Sequence, residues 1–231
     1  LWDILGKSVN APICKLLGGK IRDRIPVYAS CLPSVPVSAG EGAIEKLVST
    51  AQAIVEQGFR SLKVKLGIEI NHDRYVLEQL RNAVGDQIGI AVYANGAYDL
   101  PLARQAGKMM EAFNVLWLED PLNPENMRDY TRLASFLDLP VAGGGSLCNR
   151  WLFNDFMAAG AFDLIQPDVS RAGGITECRR IAMLADTYGL PFAPHISRGT
   201  AIYMAASLQW AATSPNLMTS EFPLDQDLAI N

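Results

Sequence analysis

The chain has 231 residues, 49% of them hydrophobic, and carries a formal net charge of -4 at pH 7. This length is enough for one large domain with a sizeable core or for two small domains. The mild acidic excess and the lack of a basic cluster argue against a nucleic-acid partner, and no apolar run reaches the roughly 18 residues that a membrane-spanning helix needs.

The pattern of apolar residues predicts an alternation of strands and helices. The first segment, "LWDILGK", reads as an amphipathic helix and not as a signal peptide, and because residue 1 is not Met we expect the chain to be part of a longer protein. Segments with helical spacing, such as 41–58 and 176–189, each end in a glycine. The predicted strands are the β-rich runs at 25–30, 60–66, 88–94, 115–119, 140–143, 162–167, 191–194 and 216–221.

This order indicates the class of fold. Successive strands lie roughly 25–35 residues apart, which is the length of a strand, a helix and two short loops. An α/β fold with a parallel sheet is therefore predicted, most economically a TIM-type barrel. An open doubly wound sheet is the alternative, and it is disfavoured because no G-x-G-x-x-G motif follows the first strand.

Candidate functional residues come from the carboxyl ends of the predicted strands, because barrel enzymes place their chemistry there. Strand interiors in a barrel are normally Val, Ile and Leu, so a series of ionisable residues at these ends predicts a site. In chain order, the ends carry Lys63, Lys65, Tyr93, Asn95, Glu119, Gly145, Asp168, His195 and Glu221.

Some of these residues also have ordinary structural interpretations. Lys63 and Lys65 are two apart on one strand and point the same way, either into the barrel mouth, where neighbouring ammonium groups favour a neutral amine base, or onto a solvated face. Taken singly, Glu119 is equally a turn residue and Glu221 a surface charge.

Asp168 and His195 end successive predicted strands. Asp168 alone is compatible with a turn or a helix cap, and His195 alone with a hydrogen-bonded structural histidine. At the same rim, they can form a carboxylate–imidazole pair that orients the ring and makes it more basic. We therefore predict that the two lie within hydrogen-bond reach of each other.

Three consecutive glycines, Gly143–Gly145, follow the fifth predicted strand in "VAGGGSLCNR". Either something approaches this bare backbone closely, or a side chain that a site needs is missing. A phosphate cradle is disfavoured, because the run lacks the G-K-[ST] ending of a P-loop.

The four cysteines, Cys14, Cys31, Cys148 and Cys178, are far apart and form no C-x-x-C pair. This pattern favours reduced, mostly buried thiols over disulfides or a zinc site. We therefore expect a cytoplasmic protein.

The motifs resemble the enolase superfamily, and within it the mandelate racemase branch of the mandelate racemase/muconate lactonizing enzyme group. The resemblance covers nearly the whole chain in "KVK", "ANGAY", "LEDP", "GGSL", "QPDVSRAGGITE", "APH" and "SEF", in matching order and spacing. It implies a (β/α)7β barrel at 25–231 after a linker helix and lead-in at 1–24. The family's α+β capping domain, which helps to select the substrate, is not in this sequence.

The same resemblance implies abstraction of a proton next to a substrate carboxylate, with Mg²⁺ stabilising the enediolate. By position, Lys65 is the base on one face, with Lys63 beside it. His195, paired with Asp168, is the base on the other face. Glu221 donates a hydrogen bond to the substrate carboxylate. Racemisation, epimerisation and dehydration of a hydroxy acid or sugar acid all suit two such bases.

The metal ligands depart from the family pattern. The resemblance implies three acidic ligands, after strands three, four and five, and only Glu119 is retained. Tyr93 stands where the family has Asp, with Asn95 intact beyond it, and Gly145 stands where the family has Glu. We therefore expect Mg²⁺ binding to be weak or absent, with Glu119 paired to a lysine or to water. Replacing both positions with acids is expected to recover metal binding.

Two hypotheses follow from this combination. The first is an enzyme, an isomerase or lyase of the racemase or dehydratase type, impaired by the lost ligands and acting on a small hydroxy acid or sugar acid. The second is a catalytically degenerate paralogue that keeps the barrel as a binding or scaffold protein. Neither a nucleic-acid nor a membrane partner is expected, and a homo-oligomer is compatible with both.

Overall fold

The computed structural model describes residues 1–196 and 200–224, with only the backbone of Cys31 described. The chain divides into two compact units. The first unit comprises residues 1–27, 144–158 and the described residues from 164 onward, and the second unit comprises residues 28–143 and 159–163. The expected boundary between residues 24 and 25 stays a prediction. Residues 197–199 and 225–231 of the predicted barrel domain lie outside the described residues.

Between residues 27 and 187, strands and α-helices alternate along the chain, and the pairings between strands are parallel. The helices are α1 (Trp2–Ser8), α2 (Ile13–Leu16), α3 (Glu41–Glu56), α4 (Ile70–Val84), α5 (Leu100–Glu111), α6 (Met127–Ala134), α7 (Asn149–Ala158), α8 (Ile175–Thr187) and α9 (Ala201–Ala211). The strands are β1 (Val27–Leu32), β2 (Ser61–Lys65), β3 (Gly89–Tyr93), β4 (Val115–Glu119), β5 (Val141–Gly143), β6 (Leu164–Ile165) and β7 (Ser220–Phe222). The predicted α/β class is confirmed.

In the second unit, β1 to β5 pair in sequence order. The register places Lys65 opposite Tyr93, and Tyr93 opposite Glu119. The carboxyl ends of three adjacent strands are therefore level, which brings these three residues side by side.

Helix α4 shows how the helices of the second unit attach to its sheet. It buries Val76, Leu77 and Leu80 on one face, and each of these contributes about 1.5–3 kcal/mol by leaving water. The same face carries a fully buried carboxylate, Asp73, which accepts hydrogen bonds from the Tyr98 hydroxyl at 3.0 Å and from the backbone of Gly67 at 3.1 Å. Burial raises the pKa of Asp73 above its usual range, although these hydrogen bonds act in the opposite direction.

In the first unit, the lead-in to β1 is tied to the segment before β7. The Arg22 guanidinium donates to the carbonyls of Ser214 at 3.1 Å and Leu217 at 3.1 Å, and the backbone N–H of Ser220 donates to the Pro26 carbonyl at 2.9 Å. These bonds fix the start of β7.

The predicted strand at 191–194 is not a continuous strand. Instead, this segment of the first unit makes isolated parallel bridges, from Phe192 to Ile165 and to Leu217, and from His195 to Asp168. The cause is Pro191 and Pro194, which have no backbone N–H to donate to a ladder. The N–H groups that remain still donate to the neighbouring segments, Phe192 to Asn216 at 3.1 Å and His195 to Pro167 at 3.3 Å.

The three cysteines whose side chains are described are free thiols. Cys178 is buried, Cys14 is half-buried and Cys148 is exposed, so the prediction of mostly buried thiols is wrong for these three. Across residues 1–196 and 200–224, none of the helices combines the length and the apolarity needed to cross a membrane.

Candidate active site

The second unit holds a buried lysine–carboxylate pair. Lys63 on β2 and Glu119 on β4 are 6% and 0% exposed, and the Lys63 Nζ donates to Glu119 Oε1 at 2.7 Å. The other carboxylate oxygen accepts a hydrogen bond from the Trp117 indole N–H at 3.2 Å. The expectation that Glu119 pairs with a lysine is confirmed.

Aromatic rings surround the lysines of this pair. The Lys63 Nζ lies 5.5 Å from the centroid of the Tyr28 ring and 5.3 Å from that of Tyr93, distances at which an ammonium is attracted to a π face. The Lys65 Nζ lies 5.9 Å from the Tyr93 centroid. The Tyr93 hydroxyl donates to the side-chain carbonyl of Asn95. The structure thus brings together the predicted residues of the second unit.

These residues do not fit a divalent metal ion. The ammonium of Lys63 already neutralises Glu119, and a metal ion on the same carboxylate would be repelled by it. Tyr93 offers a neutral hydroxyl where an acid is needed, and Mg²⁺ prefers carboxylate and other oxygen ligands. In the part of the chain that is described, no cluster of three His, Cys, Asp or Glu side chains could hold a metal ion. Weak or absent Mg²⁺ binding stays a prediction.

The first unit holds a carboxylate–imidazole pair. A parallel bridge sets Asp168 beside His195, and the His195 Nδ1 lies 2.9 Å from Asp168 Oδ2. Asp168 is fully buried, and its Oδ1 accepts from the backbone N–H of Ser170 at 2.8 Å and from its hydroxyl at 2.6 Å. The Tyr203 hydroxyl donates to Oδ2. The predicted hydrogen bond between Asp168 and His195 is confirmed.

The environment keeps Asp168 ionised. Burial by itself raises the pKa of Asp168, but the hydrogen bonds from His195, Ser170 and Tyr203 outweigh it and hold the pKa well below its usual range. An ionised carboxylate can only accept, so His195 Nδ1 carries the proton of their hydrogen bond. In the neutral ring, the lone pair is then on Nε2, which is the nitrogen able to take a proton.

Two further predicted positions lie in the first unit. Glu221 on β7 is 4% exposed, and its Oε2 accepts from the backbone N–H of Ile196 at 2.7 Å. This oxygen of Glu221 is therefore a hydrogen-bond acceptor. Gly145 follows β5, and its carbonyl accepts from the Arg171 guanidinium at 3.4 Å.

Three contact residues were missed from the sequence. Trp117 lies two residues before Glu119 on β4 and so points to the same face. This spacing can be recognised in the sequence. Ser170 lies two residues after Asp168, the spacing of a local side-chain turn. Tyr203 lies on α9, and nothing in its local sequence marks it.

A cavity of about 1030 Å³ in the first unit is lined by residues from α1, from the loop at 169–176 and from α9. Ser170 and Tyr203 line it, whereas Asp168 and His195 are not among its lining residues. The predicted Asp168–His195 pair therefore does not line this cavity.

Residues 46–230 match the sequence pattern of the family described as "Enolase C-terminal domain-like". The chain belongs to this family. It is 33% identical over 220 residues to the D-galactarolactone cycloisomerase of Agrobacterium fabrum, a match that spans 94% of this chain and 56% of the relative. It is 33% identical to the D-galactonate dehydratase of Pectobacterium atrosepticum, over 96% of this chain and 58% of the relative.

A crystal structure of a mandelate racemase/muconate lactonizing enzyme-like protein from Rubrobacter xylanophilus matches with a TM-score of 0.90 and 29% identity, over 96% of this chain and 63% of that protein. The predicted TIM-type α/β class and the membership of the enolase superfamily are confirmed. The chain spans little more than half the length of the curated relatives that it matches. That the residues of the two units share one cavity stays a prediction.

Proposed function

We propose that this chain carries the acid–base groups of a mandelate racemase-like enzyme that moves a proton next to the carboxylate of a hydroxy acid or sugar acid. The reaction class is racemisation, epimerisation or dehydration. Two relatives support this proposal by their own activities, since one is a D-galactarolactone cycloisomerase and the other a D-galactonate dehydratase.

The observation that carries the proposal is the buried Asp168–His195 pair. An imidazole whose Nδ1–H is held at 2.9 Å by an ionised carboxylate is oriented for proton transfer at Nε2. A histidine kept only for packing needs no ionised carboxylate held by a serine and a tyrosine. The arrangement suits a base that works near neutral pH.

In the proposed step, the α C–H bond of the substrate breaks and its proton moves to His195 Nε2 or to the amine of Lys65. The electron pair of that bond delocalises into the adjacent carboxylate of the substrate. In racemisation or epimerisation, the other group returns a proton to the opposite face. In dehydration, it protonates the β-hydroxyl, which leaves as water. Lys63 is assigned no proton transfer, because its ammonium is engaged by Glu119. Glu221 is assigned the role of donating a hydrogen bond to the substrate carboxylate.

The test is a screen of acid sugars and hydroxy acids for α-deuterium incorporation in D₂O, with Mg²⁺ or with a chelator. We expect at least one substrate to exchange, and His195→Asn to lower the rate by about 100-fold or more. The matched control is His72→Asn, which removes the other histidine, whose Nε2 lies 2.6 Å from the Val35 carbonyl oxygen. Equal rates in the two variants would contradict the assignment of His195.

A second function, a binding or scaffold protein without catalysis, is favoured by the Lys63–Glu119 pair and by Tyr93 and Gly145 at the ligand positions. It predicts no exchange with any substrate by a chain that is fully folded. It also predicts that an acid sugar raises Tm by mass action, because binding alone stabilises the folded state.

A further inference from the structure

Two donors from distant parts of the chain share one oxygen of the Asp168 carboxylate. Oδ2 accepts from the His195 Nδ1–H at 2.9 Å and from the Tyr203 hydroxyl. The other oxygen, Oδ1, accepts both of its hydrogen bonds from Ser170, at 2.8 Å from the backbone N–H and at 2.6 Å from the hydroxyl. The Arg171 Nε lies 3.9 Å from Oδ2, beyond hydrogen-bond distance. Because each carboxylate oxygen has two lone pairs, His195 and Tyr203 draw on the same oxygen.

Helix α9, which carries Tyr203, is packed against the segment that carries His195. Trp210 on this helix stacks on Phe192, with ring centroids 4.8 Å apart and 19° between the ring planes. Both rings are fully buried, and Phe192 lies three residues before His195. The Tyr203 hydroxyl also lies 3.1 Å from the backbone carbonyl oxygen of His195. The packing that fixes the histidine segment therefore also brings the Tyr203 hydroxyl to the carboxylate.

The bond from Tyr203 is of a strong kind. A hydrogen bond from a phenol to an ionised carboxylate is charge-assisted and about twice as strong as a neutral one. Asp168 is fully buried, and a low local dielectric strengthens such bonds further. Negative charge that one donor draws from an oxygen is less available to the second donor. Since Ser170 holds the carboxylate by its other oxygen, loss of the Tyr203 hydroxyl should change the charge on Oδ2 more than its position.

We propose that Tyr203 is a positioning residue whose hydroxyl, by sharing Asp168 Oδ2, limits how strongly the carboxylate binds the His195 ring. A carboxylate that interacts strongly with an imidazole stabilises the protonated ring, and a protonated ring cannot take a proton from a substrate. Tyr203 thus keeps His195 available as a base while Asp168 still orients it. This inference rests on the proposed role of His195, but its test needs no turnover.

The measurement is the chemical shift of the His195 Nδ1–H in proton NMR. The chain has two histidines, His72 and His195, so His195→Asn assigns the signal. A stronger hydrogen bond moves such a signal downfield. We therefore expect Tyr203→Phe to move it downfield from its wild-type position, because the Nδ1–H then no longer shares Oδ2 with the phenol. The ¹⁵N shifts of the ring distinguish neutral imidazole from imidazolium, so the same form is compared in each variant.

The matched control is Tyr188→Phe, which removes another hydroxyl of the first unit. That hydroxyl donates to the Asn154 side chain at 3.0 Å, so the His195 signal should stay unchanged. Ser170→Ala removes a donor from the other oxygen of Asp168, so it should move the signal downfield by less than Tyr203→Phe.

An unchanged His195 signal in Tyr203→Phe would overturn the proposal. An upfield signal would overturn it too, because a tyrosine that only held the ring in place would release the ring on removal. If Tyr203→Phe fails to fold, Ser170→Ala decides, and the absence of a downfield shift there would overturn the sharing of charge. If the downfield shift appears in a chain without exchange activity, only the catalytic role of His195 fails.

Discussion

The two units each bury one carboxylate against one nitrogen base, yet the two pairs differ in what they can do. Glu119 in the second unit lies 2.7 Å from the Lys63 ammonium, and Asp168 in the first unit lies 2.9 Å from the His195 imidazole. An ammonium keeps its charge through the neutral range, whereas an imidazole gains and loses a proton there. The Lys63–Glu119 pair is therefore a fixed ion pair, whereas the imidazole of the Asp168–His195 pair is chemically able to transfer a proton.

Burial of a carboxylate does not by itself define its role. The partners of Glu119 include an ammonium and an indole N–H, both of which are donors. The hydrogen bonds to Asp168 keep it ionised, and the ionised carboxylate in turn orients the His195 ring. The carboxylate that was predicted as a metal ligand is thus paired with an ammonium.

The largest expected effect comes from breaking the fixed pair. Lys63→Met removes the cation from a carboxylate that is 0% exposed, so we expect the free energy of unfolding to fall by about 3–5 kcal/mol. Urea denaturation at pH 7 measures this loss. The control is Lys7→Met, because Lys7 pairs with Asp3 on an exposed helix surface and its removal should change stability little. A loss in Lys63→Met no larger than in the control would show that the pair is not structural.

A smaller effect separates two buried aspartates by pH. The pKa of Asp168 is lowered in the folded chain, so its contribution to stability is present above the unfolded pKa of about 3.9 and is lost as pH falls through the folded pKa. The pKa of Asp73 is raised, so its contribution is present below the unfolded pKa and is lost as pH rises through the folded pKa.

The measurement is the urea midpoint from pH 2 to pH 6 for the wild type, Asp168→Asn and Asp73→Asn. Asp168→Asn should make the rise of stability with pH less steep at the acid end. Asp73→Asn should make that rise steeper, because it removes a group whose contribution to stability falls as pH rises. Each group changes the slope by at most about 1.4 kcal/mol per pH unit. Slopes that change in the same direction in both variants would contradict these assignments.

Much of this contrast could be predicted from the sequence. Parallel strands of similar length end at one level, so the ends of β2, β3 and β4 predicted that Lys65, Tyr93 and Glu119 lie side by side. The same reasoning predicted the contact between Asp168 and His195. Pro191 and Pro194 were a readable sign that the segment between them would not form a full strand ladder.

Other parts of the sites could not be predicted, because they depend on packing between distant elements. The alternation of side chains along β2 was compatible with either a solvated or a buried Lys63. The structure distinguishes the two, because Lys63 is buried and lies 2.7 Å from Glu119. Tyr203 reaches Asp168 from a helix 35 residues further along the chain. Gly145 was readable as a missing ligand, but the ring that lies against it depends on the side-chain geometry of His195.

The most direct test of the central claim is a calorimetric titration of Mg²⁺ into the wild type, Tyr93→Asp and Glu119→Gln. Because the Lys63 ammonium pairs with Glu119, neither the wild type nor Glu119→Gln should show saturable binding at micromolar Mg²⁺. Tyr93→Asp adds an acid opposite Glu119 in the register and should bind measurably more tightly than the wild type. Micromolar affinity in the wild type that Glu119→Gln abolishes would contradict the account.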